Sequence, residues 1–340
     1  MKKKITIAFV LLMVAVLTVT AFAFTGCKGK DDGKLKIVVT IFPEYDWVMN
    51  VLGDRASDVS VTLLLDSGAD LHSYNPSVAD IVAVAQADLF IYVGGESDDW
   101  VDDALKNAKN KNMRTMNLLE LLGDKAYEEG IVEGMEHDHD HDHEDEDHDH
   151  EHGDHDHDEE EVEYDEHVWL SLKNAAFYVN LIAKELAAVD PDYADTYTAN
   201  AAAYVASLNA LDARYTEMVA AASRDTILFG DRFPFRYLVE DYGIKYLAAF
   251  VGCSAETNAS FETIAFLAGK VDELDLSVIL KIESSTEDIA RGIRDASTKK
   301  NQQIKVLDSL QSATKKEYAA GRTYLAVMES NLSVLESALN

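Results

Sequence analysis

Apolar runs of two kinds alternate along this chain of 340 residues. Lys34–Ile41 (KLKIVVTI) and Asp58–Leu65 (DVSVTLLL) are short and β-rich, with almost no polar alternation, as expected of strands covered on both faces. Ala87–Val93 and a stretch around Met113–Leu118 repeat the form. Between them lie helical patterns. One starts at Pro43 and stops at Gly53. A second starts at Asn75-Pro76, a cap and first-turn proline, and ends at Gln86. A third covers Ser97–Lys109, and a short turn covers Leu119–Leu122. Strand–helix alternation of this kind predicts a mostly parallel sheet with helices on both faces.

From Ser171 the pattern becomes helical for a long way. An amphipathic helix to Val189 is followed by Asp190-Pro191 and then by an alanine-rich run to Ala222 without interior glycine or proline. Thirty helical residues span roughly 45 Å, about a whole domain, which predicts a strut. The strand–helix plan then returns: strand Thr226–Phe229, helix Pro234–Tyr242, strand Ile244–Phe250, helix Ser260–Leu274, strand Ser277–Ile282, helix Glu287–Ala296, strand Ile304–Leu307 and a final helix Arg322–Leu339. The expected fold class is α/β, with a first parallel-sheet lobe over 35–189, a bridging helix over 190–222 and a second lobe over 223–340.

Two segments fall outside this plan. Lys2-Lys3-Lys4, an apolar run from Ile5 to Phe24 and then Thr25-Gly26-Cys27 read as a secretory signal ending in a lipobox, with residues 28–34 as a polar linker. An uncleaved membrane helix is the alternative, since the run is long enough to span. The expected mature protein is extracytoplasmic and tethered to the membrane through lipidated Cys27, which leaves Cys253 with no intrachain disulfide partner. The second segment is Glu136–Glu161, 26 residues of which nine are histidine, sixteen are acidic and one is Gly153. It has no apolar face and is expected to remain a solvated loop. Its histidines (His137, His139, His141, His143, His148, His150, His152, His155 and His157) are suited to weak binding of zinc, copper or nickel, with carboxylates raising the local cation concentration. A merely solubilising spacer is the alternative.

Formal charge sharpens this. The chain carries −32, and removal of residues 1–26, with three lysines and no acids, makes that −35. Nucleic acid and anionic substrates are poor partners for such a surface, and cations are good ones. Only His72 and His167 lie outside the histidine tract. Open parallel sheets place ligands beyond the carboxyl ends of their strands, where His72, Asp231 and Asp308 fall. Each also has a plain alternative role as a loop histidine or as a capping or turn carboxylate. Cys253 is a conceivable soft ligand, but a buried, unreactive cysteine is the commoner case.

Two segments carry a resemblance. Gly68-Ala69-Asp70-Leu71-His72-Ser73-Tyr74-Asn75-Pro76 resembles the Gly-x-x-x-His-x-Tyr-x-Pro segment of metal-binding lipoproteins from zinc and manganese ABC importers. Asp165-Glu166-His167-Val168-Trp169-Leu170-Ser171 is similar to their Asp-Pro-His-x-Trp-x-Ser segment, with Glu166 where proline is usual. The resemblance covers the mature chain and implies two lobes joined by a rigid helix, with metal bound in the cleft between them. It implies His72 and His167 as ligands, Asp308 as a fourth, and a third from the segment Phe229–Tyr242. Counting back from Tyr242 lands on Arg232, whose guanidinium cannot ligate, so Asp231 is the candidate and Arg232 either supports the ligands from behind or makes a lobe contact. Glu283 is held in reserve. Two imidazoles and two carboxylates suit Zn²⁺, with Mn²⁺ the alternative. The expected function is capture of Zn²⁺ by a monomeric surface lipoprotein that delivers it to an ABC permease. A manganese importer component, an adhesin with a structural metal and an extracytoplasmic metallohydrolase are the alternatives. The chain has no His-Glu-x-x-His, Gly-x-Ser-x-Gly or Walker segment, and a closed ligand shell disfavours catalysis.

Overall fold

The structure, a computed structural model, describes residues 33–136, 163–254 and 258–340. Within Leu35–Asn340, two four-stranded parallel sheets carry the fold. The first contains β1 (Lys36–Val39), β2 (Ser60–Leu63), β3 (Leu89–Tyr92) and β4 (Arg114–Asn117) in the order β2-β1-β3-β4. The second contains β5 (Thr226–Phe233), β6 (Lys245–Val251), β7 (Val278–Lys281) and β8 (Gln303–Val306) in the order β6-β5-β7-β8. Both lobes therefore share one topology, and each opens a crevice at the carboxyl ends of its strands where the order reverses. Ile37, Val39, Leu89, Phe90 and Ile91 are fully buried, which is why their runs lack polar alternation.

The bridging helix runs from Ala194 to Ala221, 28 residues or about 42 Å. It does not begin at Pro191, because Pro191–Tyr193 form a 3₁₀ turn first. Its buried residues are Tyr197, Ala201, Tyr204, Leu208, Leu211 and Tyr215, alternating four and three apart, so one narrow seam faces inward. That seam packs on the helices Phe42–Leu52, Leu172–Val189 and Tyr324–Leu339. Its tyrosines need partners when buried and have them. Tyr197 donates to Asp190 (2.7 Å), Tyr204 to Asp46 (2.8 Å) and Tyr215 to the Met328 carbonyl (2.7 Å). One hydrophobic cluster joins the seam to residues of both sheets, while a smaller cluster around Leu228, Leu267 and Ile279 covers the second sheet alone.

Several boundaries differ from the sequence expectation. The helix expected from Asn75 begins at Val78, because Ser77 and Asp80 cap each other's backbone N–H and this reciprocal box fixes the first turn. Ser97–Lys109 splits into a 3₁₀ turn, Glu96–Asp98, and a helix, Trp100–Lys106. β5 does not stop at Phe229. It continues to Phe233 through a register shift between Phe229 and Arg232, which places Asp231 inside the strand rather than after it. A short helix, Lys315–Ala319, was not foreseen; Thr314 and Glu317 cap it. Among the described residues no helix is long and apolar enough to cross a membrane. The leader ending at Cys27 and the tract from His137 onward lie outside the described residues.

Candidate metal centre

β2 leads into a loop that ends in a one-turn 3₁₀ segment, Leu71–Ser73. Leu71 is fully buried and anchors it, and the Asp70 carboxylate accepts the His72 backbone N–H at 3.1 Å. His72 is thus held at the carboxyl edge of the first sheet. His167 precedes a second 3₁₀ turn, Val168–Leu170, whose three side chains are all fully buried. The second lobe grips this turn. Trp169 Nε1 donates to the Ser309 carbonyl (2.9 Å), and Tyr324 donates to the Trp169 carbonyl (2.7 Å).

The two imidazoles meet. His72 Nε2 lies 3.0 Å from His167 Nε2, with ring centroids 5.1 Å apart. Asp165 Oδ1 accepts both the backbone N–H (2.8 Å) and Nδ1–H (2.9 Å) of His167, which fixes the tautomer with its lone pair on Nε2. His72 Nδ1 lies 2.9 Å from Ser97 Oγ, a hydroxyl that can donate or accept, and 3.6 Å from Glu166 Oε2. With the His167 lone pair on Nε2, a proton on His72 Nε2 can be donated across this 3.0 Å gap, and a cation that displaced the proton would be held by both nitrogens. Two Zn–N bonds of about 2.0–2.1 Å at a tetrahedral angle set their nitrogens about 3.3 Å apart, so zinc fits after a shift of a few tenths of an ångström. Burial, the neighbouring His167 and the Arg232 guanidinium all hold His72 well below the usual imidazole range, so it stays neutral and able to ligate.

A pocket of about 550 Å³ opens beside the pair, lined by His72, Ser97, Tyr164, Glu166 and Cys253 among others. Among the described residues, the ring nitrogens of His72 and His167 and the Cys253 sulfur form a group whose ligand atoms all lie within 4.8 Å of one another. Glu166 is 3% exposed. Its Oε1 accepts from the Ser97 N–H at 3.0 Å, while Oε2 has no hydrogen-bond partner. Burial pushes its carboxyl up to about 7. A Cβ at Gly95 would sit 2.4 Å from Glu166 Oε1, so glycine at that position makes room for the carboxylate. Burial and the nearby Asp165, Glu129 and Glu166 carboxylates push the Cys253 thiol well above its usual value.

The structure does not bring the second-lobe carboxylates into this group. Asp231 Oδ2 accepts from the Ile282 N–H (2.9 Å) and from Ser285, and Oδ1 accepts the Arg232 N–H (2.9 Å). Asp308 follows β8 as expected, but its two oxygens lie 2.9 Å from Arg322 Nη2 and Oδ1 also accepts the Leu310 N–H. Glu283 accepts from Ser309 N–H (2.8 Å) and Oγ (2.9 Å); burial and Asp308 push it up to about 6. Arg232 is the lobe contact expected of it. It pairs with Asp70 on the first lobe and donates from Nη1 to the Ser254 carbonyl (3.2 Å) on the second. Gln311 lies between Asp70 and His167, with the end of its amide 3.1 Å from His167 Nε2. Sequence reasoning passed over Asp165, Ser97, Glu166 and Gln311. Asp165 and Glu166 alone left a trace, the first as the aspartate of the motif and the second as a carboxylate in the place of proline.

The fold is two-lobed, and the two imidazoles pair in the cleft at the carboxyl ends of its strands. Residues 37–338 match the family described as ZnuA, zinc-uptake complex component A, periplasmic, and the chain belongs to that family. The family is thus described as a component of an uptake complex and not as an enzyme. The chain is 32% identical over 309 residues to the zinc-binding lipoprotein AdcA of Streptococcus pneumoniae serotype 4, covering 90% of this chain and 56% of that relative. It thus spans little more than half the length of the streptococcal relatives it matches. The high-affinity zinc uptake system protein ZnuA of Bacillus subtilis is 29% identical over 326 residues, covering 95% of this chain and 94% of that protein. Among solved structures, the Zn(II)-bound ZnuA-like domain of S. pneumoniae AdcA superposes with a TM-score of 0.67 at 28% identity, covering 90% of this chain and 99% of that one. The metal-dependent lipoprotein YcdH of B. subtilis does so with a TM-score of 0.70 at 25% identity, covering 90% and 99%.

Proposed function

We propose that this protein captures Zn²⁺ outside the cytoplasm, tethered by a lipid on Cys27, and passes it to an ABC permease. His72 and His167 are the nitrogen ligands. The observation that carries this is the convergence of the two Nε2 atoms to 3.0 Å in the cleft, with Asp165 holding Nδ1–H of His167 so that its Nε2 lone pair faces His72. Zinc is favoured over manganese because imidazole nitrogens follow the Irving–Williams order, in which manganese stands lowest. Asp231, Asp308 and Glu283 act as braces of the second lobe, since their oxygens are committed to Ile282, Arg322 and Ser309. The tract His137–His157 serves as a weaker collector of metal ahead of the cleft, supported by composition.

Delivery, rather than storage or adhesion, agrees with membership of an uptake-complex family. Host cells lacking the protein should grow poorly under zinc chelation and recover with the wild-type chain but not with His72→Ala. Full rescue by His72→Ala would remove the cleft site from the uptake pathway.

A further inference from the structure

Taking the zinc-capture reading as its basis, we infer that Cys253 is a metal ligand. Its sulfur joins His72 Nε2 and His167 Nε2 across the cleft to make a two-nitrogen, one-sulfur site for a borderline-soft divalent cation. The sulfur comes from the second lobe and His72 from the first, so this set spans the cleft, whereas Asp231 and Asp308 turn away from it.

Four observations converge on this residue. The sulfur lies within 4.8 Å of a ring nitrogen of each histidine. The turn after β6 is pressed against the imidazole: a Cβ at Gly252 would fall 3.1 Å from His167 Cε1 and 2.9 Å from the Phe233 carbonyl, so glycine here lets Cys253 come close. The turn is also held at two points. Cys253 N–H donates to Glu129 Oε1 at 2.8 Å, and Arg232 ties the Ser254 carbonyl to Asp70, which itself holds the His72 backbone. Arg232 thereby fixes the His72 loop and the Cys253 turn to one another. Finally, Glu166 Oε2 lines the same pocket, 97% buried as a residue and without a donor, an acceptor that a bound cation would compensate.

Histidine and cysteine together are a common zinc set, and a coordinating thiol gives up its proton to solvent as the metal–sulfur bond forms. A thiolate also biases the site further toward zinc and away from manganese, which prefers oxygen ligands.

The test uses the full chain in detergent with Cys27→Ala, so that Cys253 is the remaining thiol, and Co²⁺ as a spectroscopic probe. Loading should produce a near-ultraviolet sulfur-to-cobalt charge-transfer band, which metal bound to the histidine tract cannot give. Adding Cys253→Ser should remove the band and weaken zinc binding by about 100-fold or more. Zinc should also protect Cys253 from alkylation in the parent chain, a measurement that needs no further variant to fold. Tight cobalt binding without the band, or unchanged alkylation with zinc bound, overturns the assignment of Cys253. If the parent chain binds no cobalt tightly, the metal reading itself fails, and this ligand with it.

Discussion

Asp165→Asn tests how the second ligand is prepared. Asp165 is 1% exposed, and its Oδ1 accepts from both N–H and Nδ1–H of His167. An amide of the same size keeps the shape but can turn its NH₂ toward the ring, which favours the tautomer with hydrogen on Nε2 and removes the lone pair the metal needs. Loss of such a partner typically costs 10–100-fold in metal affinity, or about 1.4–2.7 kcal/mol. Competition with a calibrated chelator at neutral pH reads this directly, and a thermal melt of the metal-free protein shows whether the fold survives. Zinc affinity equal to wild type, in a variant that melts normally, would refute the claim that Asp165 sets the tautomer.

Leu208→Ala, in the fully buried seam of the bridging helix, should cost about 2–5 kcal/mol and lower the melting of both lobes together, because the helix is common to their core; two separate transitions would argue against a shared core. Deleting residues 137–161 should leave one tight zinc equivalent and remove only weaker ones, as counted by calorimetry. Two pH effects should appear in the metal-free protein. Because His72 resists protonation in the fold, the unfolded chain takes up a proton that the native state refuses as pH falls below about 6.5, so stability drops in that direction, and His72→Gln should lessen the drop. Glu166 shifts the other way: its native carboxyl titrates at about 7, above the ordinary 4.5, so its stabilising contribution is lost as pH rises across that window. Glu166→Gln should flatten denaturant midpoints over the same range, and an unchanged pH profile would contradict the burial of this carboxylate.

Much of the architecture was legible because both lobes write it in the same way, as continuous apolar strands alternating with amphipathic helices. The bridging helix was legible from its length without glycine or proline. Its inward face was harder to see, since the seam is built from tyrosine and alanine as much as from leucine, and buried tyrosine depends on distant acceptors such as Asp46 and Met328. His72 and His167 could be picked out because every other histidine sits in the tract. The setting of the second-lobe side chains was less legible, for a physical reason. Asp231 looks like a loop carboxylate if β5 ends at Phe229, but the strand continues through an irregularity and the Asp231 carboxylate accepts the Ile282 N–H. Cys253 gains meaning only once its turn is seen folded onto the ring of His167, a contact between residues far apart in the chain.

The central claim is that paired imidazoles in the cleft, not the histidine tract, hold the transported ion. It is tested most directly by competitive zinc titration of the chain lacking residues 137–161, with and without His72→Ala and His167→Ala together. One tight equivalent in the first protein and none in the second is the expected result. A tight equivalent that survives loss of both histidines would contradict the account.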